Sequence, residues 1–151
     1  MAPVKKATTK KVQPKEAPAA KKSERYVEGV GRRKTAVARV RIWGGHGKFS
    51  VNDEEYKSYF DLSRLRLTAA APLEKMKLGD KYDISAKVRG GGINAQAEAV
   101  RLGLARALAL KNPDFEKRLG KFGYLRRDPR MVERKKYGLK KARRAPQWAK
   151  R

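Results

Sequence analysis

The sequence has no cysteine and one histidine, so it lacks most of the side chains that build metal sites or nucleophile–base pairs. Without cysteine, disulfides and thiolate metal sites are excluded, and a reducing compartment fits the composition. His46 lies in a predicted turn among three glycines, with no second imidazole nearby to complete a site. We therefore predict no metal, no cofactor and no catalytic residue, and do not expect an enzyme.

Long uncharged segments are also missing. The longest run without charge, residues 90–97, has eight residues, whereas a membrane-spanning helix needs roughly 18. The first 23 residues contain lysines but no apolar segment of about 7–15 residues, so they do not resemble a secretory signal. We expect no membrane partner.

Acidic residues are scarce relative to basic ones. Forty Lys and Arg stand against fifteen Asp and Glu, which gives a formal net charge of +25 and a sequence pI near 10.7. A pI above about 9 is typical of nucleic-acid-binding domains, because each neutralised phosphate releases condensed counterions. A polyanionic partner is therefore the first hypothesis.

Charge and apolar content divide the chain into three zones. Residues 1–23 are mainly Lys, Ala, Pro and Thr, and this composition predicts a disordered basic N-terminal extension. Residues 24–125 contain twelve of the fifteen acidic residues and most of the large apolar ones, so we expect a globular α+β RNA-binding domain there. Residues 126–151 have twelve basic and two acidic residues, and they predict an extended basic C-terminal tail.

Alternating apolar residues predict three strands in the central zone. In residues 35–43, Arg39 and Arg41 face away from the apolar side, which consists of Ala36, Ala38, Val40 and Ile42. A short strand is expected at residues 26–30, and residues 81–88 alternate in the same way. The glycine-rich residues 44–47, followed by a short apolar run that ends in a turn at Asn52 and Asp53, predict a hairpin with the 35–43 strand.

Helical spacing is clearest after the triple glycine at residues 90–92. Asn94 is a candidate N-cap, and an apolar stripe follows, formed by Ala97, Val100, Leu104, Ala107 and Leu108. This helix should end near Asn112, with a shorter helix after Pro113. Further helices are predicted from Asp53, with an acidic first turn, and over residues 63–78 with a break at Pro72. Strands joined through helices predict an α+β sandwich of one sheet and helices.

Two glycine motifs begin like nucleotide-binding loops but lack residues that such loops need. In residues 29–34, GVGRRK, Lys34 stands where a dinucleotide fingerprint has its third glycine. The triple glycine precedes a helix, but no Gly-Lys-Ser/Thr follows it. For the triple glycine we favour a tight strand-to-helix turn, and an RNA phosphate bound at the helix start is the alternative.

Basic side chains are grouped in two places. Arg32, Arg33 and Lys34 lie in a predicted loop beside the strand that carries Arg39 and Arg41, so loop and strand face should form one positive surface. An ordinary solvated strand face is the alternative. In the tail, aromatic rings alternate with pairs of basic residues, an arrangement that suits RNA because phosphates contact the charges while bases stack on the rings.

Three separated motifs, in this order, resemble the S-nine family of small-subunit ribosomal proteins, bacterial type. They are GVGRRKTAVARVRI over residues 29–42, RGGGINAQAEAVRLGLARAL over residues 89–108 and RDPRMVERKKYGLKKARRAPQWAKR over residues 127–151. The resemblance spans roughly residues 25–151 and leaves the N-terminal extension outside. It implies a fold of the ribosomal S5 domain 2-like type with a left-handed β-α-β crossover, a feature that the residue patterns do not predict.

The resemblance also implies a function and partners. The protein would be a structural constituent of the cytoplasmic small subunit, bind 16S ribosomal RNA in the subunit head beside other head proteins, and form no homo-oligomer. Its tail would contact the anticodon stem-loop of peptidyl-site tRNA through Lys150 and Arg151, of which Arg151 is the stronger candidate. The implied ribosomal RNA contacts are Arg32, Arg33, Lys34, Arg39, Arg41, Arg89, Arg126, Arg127, Arg130, Arg134, Lys135, Lys136, Tyr137, Lys140, Lys141, Arg143, Arg144 and Trp148.

Three positions depart from the family pattern. Ala95 stands where Gly is frequent, Trp148 replaces Phe or Tyr, and Ala149 replaces Ser, which removes a hydroxyl beside the tRNA-contacting end.

A competing hypothesis does not depend on the family resemblance. A soluble nucleic-acid chaperone or DNA-condensing protein would bind any polyanion through charge alone, with no preference for ribosomal RNA.

Overall fold

The computed structural model describes residues 26–149, which form one mixed sheet and four helices. The strands are β1 Val27–Arg33, β2 Ala36–Gly44, β3 Phe49–Val51, β4 Glu54–Glu55 and β5 Tyr82–Arg89. The helices are α1 Tyr56–Tyr59, α2 Ser63–Met76, α3 Ile93–Lys111 and α4 Asp114–Lys121. The strand order is β1-β2-β5-β3-β4. The predicted α+β class with a single sheet is confirmed, and no helix of the described chain is long and apolar enough to cross a membrane.

Strands β1 and β2 form a tight antiparallel hairpin. Arg33 pairs with Ala36, so only Lys34 and Thr35 form the turn, and Lys34 has a left-handed φ of 49°. The predicted loop at residues 32–34 is therefore wrong for Arg32 and Arg33, which belong to β1. The strand extends beyond Val30 because its pairing with β2 continues to the turn, and this pairing is a tertiary contact that local composition does not show.

The predicted hairpin between β2 and β3 is also wrong, because β5 lies between them. β5 pairs antiparallel with β2 over eight residues, from Val37↔Arg89 to Gly44↔Tyr82. β3 has three residues and pairs parallel with β5, with Phe49 opposite Ile84. The longer strand takes the edge of β2 because it offers more backbone hydrogen bonds and a longer apolar face. β3, α1, α2 and β5 thus form a β-α-β crossover, whose hand stays a prediction.

Three helix details differ from the sequence-based expectation. The predicted turn at Asn52 and Asp53 is confirmed, since both have positive φ and join β3 to β4, but the helix then begins at Tyr56 rather than at Asp53. Helix α2 continues through Pro72, which is buried. The break is absent because apolar burial along α2 offsets the one backbone hydrogen bond that proline removes.

Asn94 is not the N-cap of α3. The helix begins at Ile93 after Gly92, and the Asn94 Oδ1 atom instead accepts a hydrogen bond from Arg64 Nη2 at 3.2 Å. The apolar stripe predicted for α3 is confirmed, because all five of its residues are fully buried. The predicted end at Asn112 and the following short helix are confirmed as well.

The core lies between α3 and one face of the sheet, where the four predicted inward residues of β2 have no exposed surface. Gly29 and Gly31 of β1 lie against Gly103 of α3. A Cβ atom on Gly31 would come within 3 Å of backbone atoms of Ala99 and Gly103. The GVG motif is therefore explained by close helix-to-strand packing, which side chains larger than hydrogen would block.

Candidate nucleic-acid interface

The sheet face opposite α3 carries most of the cations predicted for the globular domain. Because side chains alternate along a strand, Arg32, Arg39, Arg41 and Arg89 all lie on the face opposite the buried residues. Lys87 shares this face and pairs directly with Arg39. We call these five residues the outer sheet face.

Lys87 was missed by the sequence analysis, although a signal was present. The alternation in residues 81–88 that buries Ile84, Ala86 and Val88 places Lys87 on the opposite side. Charged residues at outward positions of a predicted strand are candidates for RNA contact, as Arg39 and Arg41 are.

One carboxylate partly neutralises the outer sheet face. Glu28 accepts hydrogen bonds from Arg39 at 2.9 and 3.1 Å and from Arg41 at 3.0 Å. The Arg39 hydrogen bond, followed by that of Arg41, lowers the pKa of Glu28, and the same contact raises the pKa of Arg39. The Arg41 guanidinium also lies 4.7 Å from the centre of the Tyr26 ring. The face remains positive, because it carries five cations against two carboxylates, Glu28 and Asp83.

Arg33 lies on the other side of β1, toward α3. Its side chain is 11% exposed and donates to Glu98 of α3. It also forms an ion pair with Asp128 at 3.1 Å and donates to the carbonyl oxygen of Arg130 at 2.6 Å. We call these contacts the Arg33 anchor. In this structure Arg33 joins the sheet, α3 and the start of the tail, rather than presenting a free charge.

Asp128 is held as a carboxylate by the same group of contacts. Arg130 donates to it from its guanidinium at 2.8 Å and from its backbone N–H at 3.0 Å. These bonds, with a smaller contribution from the charge of Arg33, hold the pKa of Asp128 well below its ordinary value, and the same pair raises the pKa of Arg130. The anchor therefore depends on an ionised Asp128.

The triple glycine forms a tight turn beside the β1–β2 turn. Gly90 and Gly91 have φ of 71° and 68°, a left-handed conformation that favours glycine. A Cβ on Gly91 would lie 2.9 Å from the Cβ of Ala36, and one on Gly90 would lie 2.8 Å from the Thr35 carbonyl oxygen. The favoured interpretation as a strand-to-helix turn is supported, and phosphate binding at the helix start stays a prediction.

The described part of the tail, residues 126–149, contains no helix or strand. Glu133 forms ion pairs with Lys136 and with Arg143, each at 2.9 Å, and the backbone N–H of Lys140 donates to the Arg144 carbonyl at 2.8 Å. These contacts fold residues 133–144 into a local turn. Other basic residues of this part form no ion pair within residues 26–149, namely Arg126, Arg127, Arg134, Lys135, Lys140, Lys141 and Arg144.

The two aromatic residues predicted for stacking are available. Tyr137 is fully exposed and Trp148 is 88% exposed. Lys150 and Arg151, the candidates for tRNA contact, lie outside the described residues. The predicted contacts in the described residues therefore fall into four groups: the outer sheet face, Lys34 in the β1–β2 turn, the tail with its cations and rings, and Arg33, which is set apart from the others.

The sequence profile of one protein family matches most of the chain. Its description is ribosomal protein S9/S16, and the match covers residues 31–151. The chain belongs to this family. The predicted resemblance is thereby confirmed, and the first 30 residues lie outside the match.

Membership in the ribosomal protein S9/S16 family makes the protein a structural, ribosomal RNA-binding component of the small ribosomal subunit. The family is structural rather than catalytic. This identity gives the exposed cations a defined class of ligand, because ribosomal RNA offers a phosphate at every nucleotide and unpaired bases in its loops.

Proposed function

We propose that this ribosomal protein S9/S16 family member binds 16S ribosomal RNA in the head of the small subunit and contacts the anticodon stem-loop of peptidyl-site tRNA through Lys150 and Arg151. The observation that carries the proposal is the clustering of cations on the outer sheet face and in the exposed tail. Within residues 26–149, Arg32, Lys87 and Arg89 form no ion pair, and Arg39 and Arg41 share the single carboxylate of Glu28. The sequence resemblance supplies the tRNA contact.

The proposed roles of the chain's parts follow its three zones. Residues 24–125 seat the protein on ribosomal RNA, residues 126–151 reach along it, and residues 1–23 form an extension to which we assign no role. Extended, the tail's 26 residues span at most about 85–95 Å, well beyond the domain itself. Arginines supply paired hydrogen bonds to phosphates, and Tyr137 and Trp148 offer rings for stacking.

The tRNA contact is tested by deleting Lys150 and Arg151 and reconstituting small subunits with the shortened protein. Subunit assembly should remain nearly intact, while tRNA affinity at the peptidyl site falls about fivefold or more, because two charge-assisted contacts to phosphate are lost. The matched control replaces Lys21 and Lys22 with Ala, which removes the same charge outside the family match. Equal tRNA affinity for the deletion and the control would refute the tail's role.

The ribosomal RNA contact is tested by replacing Arg32, Lys87 and Arg89 with Gln. If each contacts a phosphate, the dependence of log K on log salt should become shallower by about 2, at roughly 0.7 per phosphate on single strands. The control replaces three exposed lysines away from the outer sheet face, Lys57, Lys117 and Lys121. A slope that changes equally in both variants would mean that only net charge matters.

The competing chaperone hypothesis makes a different prediction. A binder that uses charge alone should prefer neither 16S head RNA nor duplex DNA at fixed salt, and it should leave the small subunit in high salt. We expect the protein to co-sediment with the small subunit in high salt and to select the head RNA over duplex DNA.

A further inference from the structure

A groove of about 710 Å³ opens at the β3–β4 edge of the sheet, and its rim is acidic in a protein of net charge +25. Six carboxylates line it: Asp53, Glu54, Glu55, Glu74, Asp80 and Asp83. Lys48 and Lys57 are the cations among the lining residues. Nearly half of the acidic residues in the described chain therefore surround one groove, which we call the acidic groove.

Most carboxylates of the acidic groove lack an ion pair. Elsewhere in the described chain, Glu28, Glu98, Asp128 and Glu133 each form an ion pair with arginine, whereas Asp61, Asp114 and Glu116 form none. Within residues 26–149, the groove's only ion pair joins Glu55 and Lys57, at 4.0 Å. Within the same residues, the other five groove carboxylates form no ion pair.

The floor of the acidic groove is apolar and aromatic. Phe49 and Tyr56 stack with ring centres 4.6 Å apart, and Ile84 and Leu73 lie beside them. Trp43 also lines the groove. Aromatic faces beside carboxylates suit guanidinium and ammonium groups with aliphatic stems, since the stem packs on the rings while the charge contacts the acids.

The arrangement does not suit a metal ion. Within the described chain, no three Asp, Glu or His side chains lie close enough together to hold a metal. The groove carboxylates are spread along the rim, and the volume falls in the range of about 300–1,000 Å³ that is usual for sites that bind a ligand. Spread charges match a ligand whose cations are also spread, such as an extended chain.

Phosphate is disfavoured at this rim by charge. A nucleic acid laid along this rim would place its phosphates beside unpaired carboxylates, which repel it. Asp83 is held ionised in addition, because backbone N–H groups of Lys48 and then His46, each at 2.9 Å, lower its pKa. The acidic groove is thus less favourable for RNA than the cations of the outer sheet face.

We propose that the acidic groove binds an extended Lys- and Arg-rich segment of a neighbouring protein. The identity of the neighbour rests on the proposed function: proteins packed within ribosomal RNA carry basic segments, because they neutralise its phosphates. Cations of the segment pair with the rim, and their aliphatic stems cover Trp43 and Tyr56, the half-buried rings of the groove. The groove therefore supplies a protein contact on the side that RNA avoids.

The test measures binding of a fluorescein-labelled peptide of alternating Arg and Gly to the full chain by fluorescence anisotropy at low ionic strength. The groove variant carries Asp53→Asn, Glu54→Gln and Glu74→Gln. The matched control carries Asp61→Asn, Asp114→Asn and Glu116→Gln, which change net charge equally on exposed residues outside the groove. We expect saturable binding to the wild type and the control, and about tenfold weaker binding to the groove variant.

Two outcomes would overturn the proposal outright: no saturable peptide binding, or equal binding by the groove variant and the control. Affinity for 16S head RNA, measured on the same proteins, should be unchanged or slightly higher in the groove variant. A loss of RNA affinity there would show that the groove faces RNA. If the peptide binds but the protein shows no selectivity for 16S head RNA, the proposal for the acidic groove stands and the proposed function is refuted.

Other occupants give distinct results. If the protein's own N-terminal residues fill the acidic groove, replacing Lys10, Lys11, Lys15, Lys21 and Lys22 with Gln should tighten peptide binding about tenfold. If a second copy fills it, the wild type should self-associate in sedimentation and the groove variant should not. Either result would mean that the occupant of the acidic groove is not a neighbouring protein.

Discussion

The globular domain and the described tail are ordered by different forces. In the domain, α3 and the sheet bury a continuous apolar core, whose central residues, such as Leu104 and Ile42, have almost no exposed surface. Residues 126–149 bury almost nothing, and their internal contacts are ion pairs and turn hydrogen bonds. Because ion pairs on a surface weaken as salt rises and apolar burial does not, the tail's conformation should depend on conditions that leave the domain unchanged.

The Arg33 anchor joins the domain, which is held together by apolar burial, to the tail, which is held together by ion pairs and turn hydrogen bonds. One guanidinium contacts α3 through Glu98 and the tail through Asp128 and the Arg130 carbonyl. The domain therefore holds the first residues of the tail.

The largest effect is expected from Gly31→Val, which attacks the domain alone. The new side chain would overlap backbone atoms of Ala99 and Gly103, so β1 and α3 must separate. We expect the free energy of unfolding in urea to fall by about 3 kcal/mol. Gly44→Ala is the control, since nothing lies within 4 Å of its Cβ position. Similar stability of the two variants would mean that close β1–α3 packing is not essential.

The next largest effect is expected from Arg33→Ala, which separates tail from domain. The substitution leaves Glu98 and Asp128 without this partner, and we expect the free energy of unfolding to fall by about 1–2 kcal/mol. Trypsin should cut at Arg126, Arg127 and Arg130 about tenfold faster, since the tail is no longer held. Arg32→Ala, at the exposed neighbouring position, should leave the cutting rate unchanged. If both variants are cut equally, the anchor does not hold the tail.

The pH dependence of the Arg33 anchor gives a smaller effect. The pKa of Asp128 is lower in the folded protein than its ordinary value of 3.8, so the contact is fully present above that value and is lost as pH falls through the folded pKa. Resonances of residues 126–130 should shift in NMR spectra as pH falls below about 4, while those of the buried residues of α3 hardly change. Asp128→Asn should abolish the transition. A transition that persists in this variant would assign it to another carboxylate.

The smallest effect is expected from Glu28→Gln on the outer sheet face. Without the carboxylate, Arg39 and Arg41 become free to contact phosphate, so affinity for 16S head RNA should rise about twofold to threefold, with a salt dependence steeper by about 0.7 per added contact. Stability should change by less than about 1 kcal/mol, as is usual for exposed ion pairs. Asp61→Asn is the control for net charge. An equal rise in RNA affinity for Glu28→Gln and Asp61→Asn would mean that Glu28 does not control RNA binding at the outer sheet face.

Local patterns predicted the elements of this fold well and their pairing poorly. The alternation in β2 and β5 and the stripe in α3 are repeated signals, each carried by several residues that are buried together. The insertion of β5 between β2 and β3 is a contact between residues more than thirty positions apart, and no local pattern encodes it. A short return strand after a glycine turn looks the same whether it pairs with the preceding strand or with a later one.

The candidate site was predictable where it depended on alternation, and less so where it depended on strand length. Arg39 and Arg41 were placed correctly because β2 was recognised over its full length. Arg33 was grouped with the free loop cations because β1 was expected to end at Val30. With the strand extended by three residues, the same alternation places Arg33 on the side of Gly29 and Gly31, toward α3.

The Arg33 anchor also turns the tail into a tether of defined length. Beyond Arg130, residues 131–151 span at most about 70–75 Å when extended, measured from a point fixed to the domain. Once the domain is seated, the local concentration of the tail's tip near any target is set by that length and not by the protein's concentration in solution. Residues added or removed between Arg130 and Arg151 would therefore change the tip's effective concentration even if every charge and ring were kept.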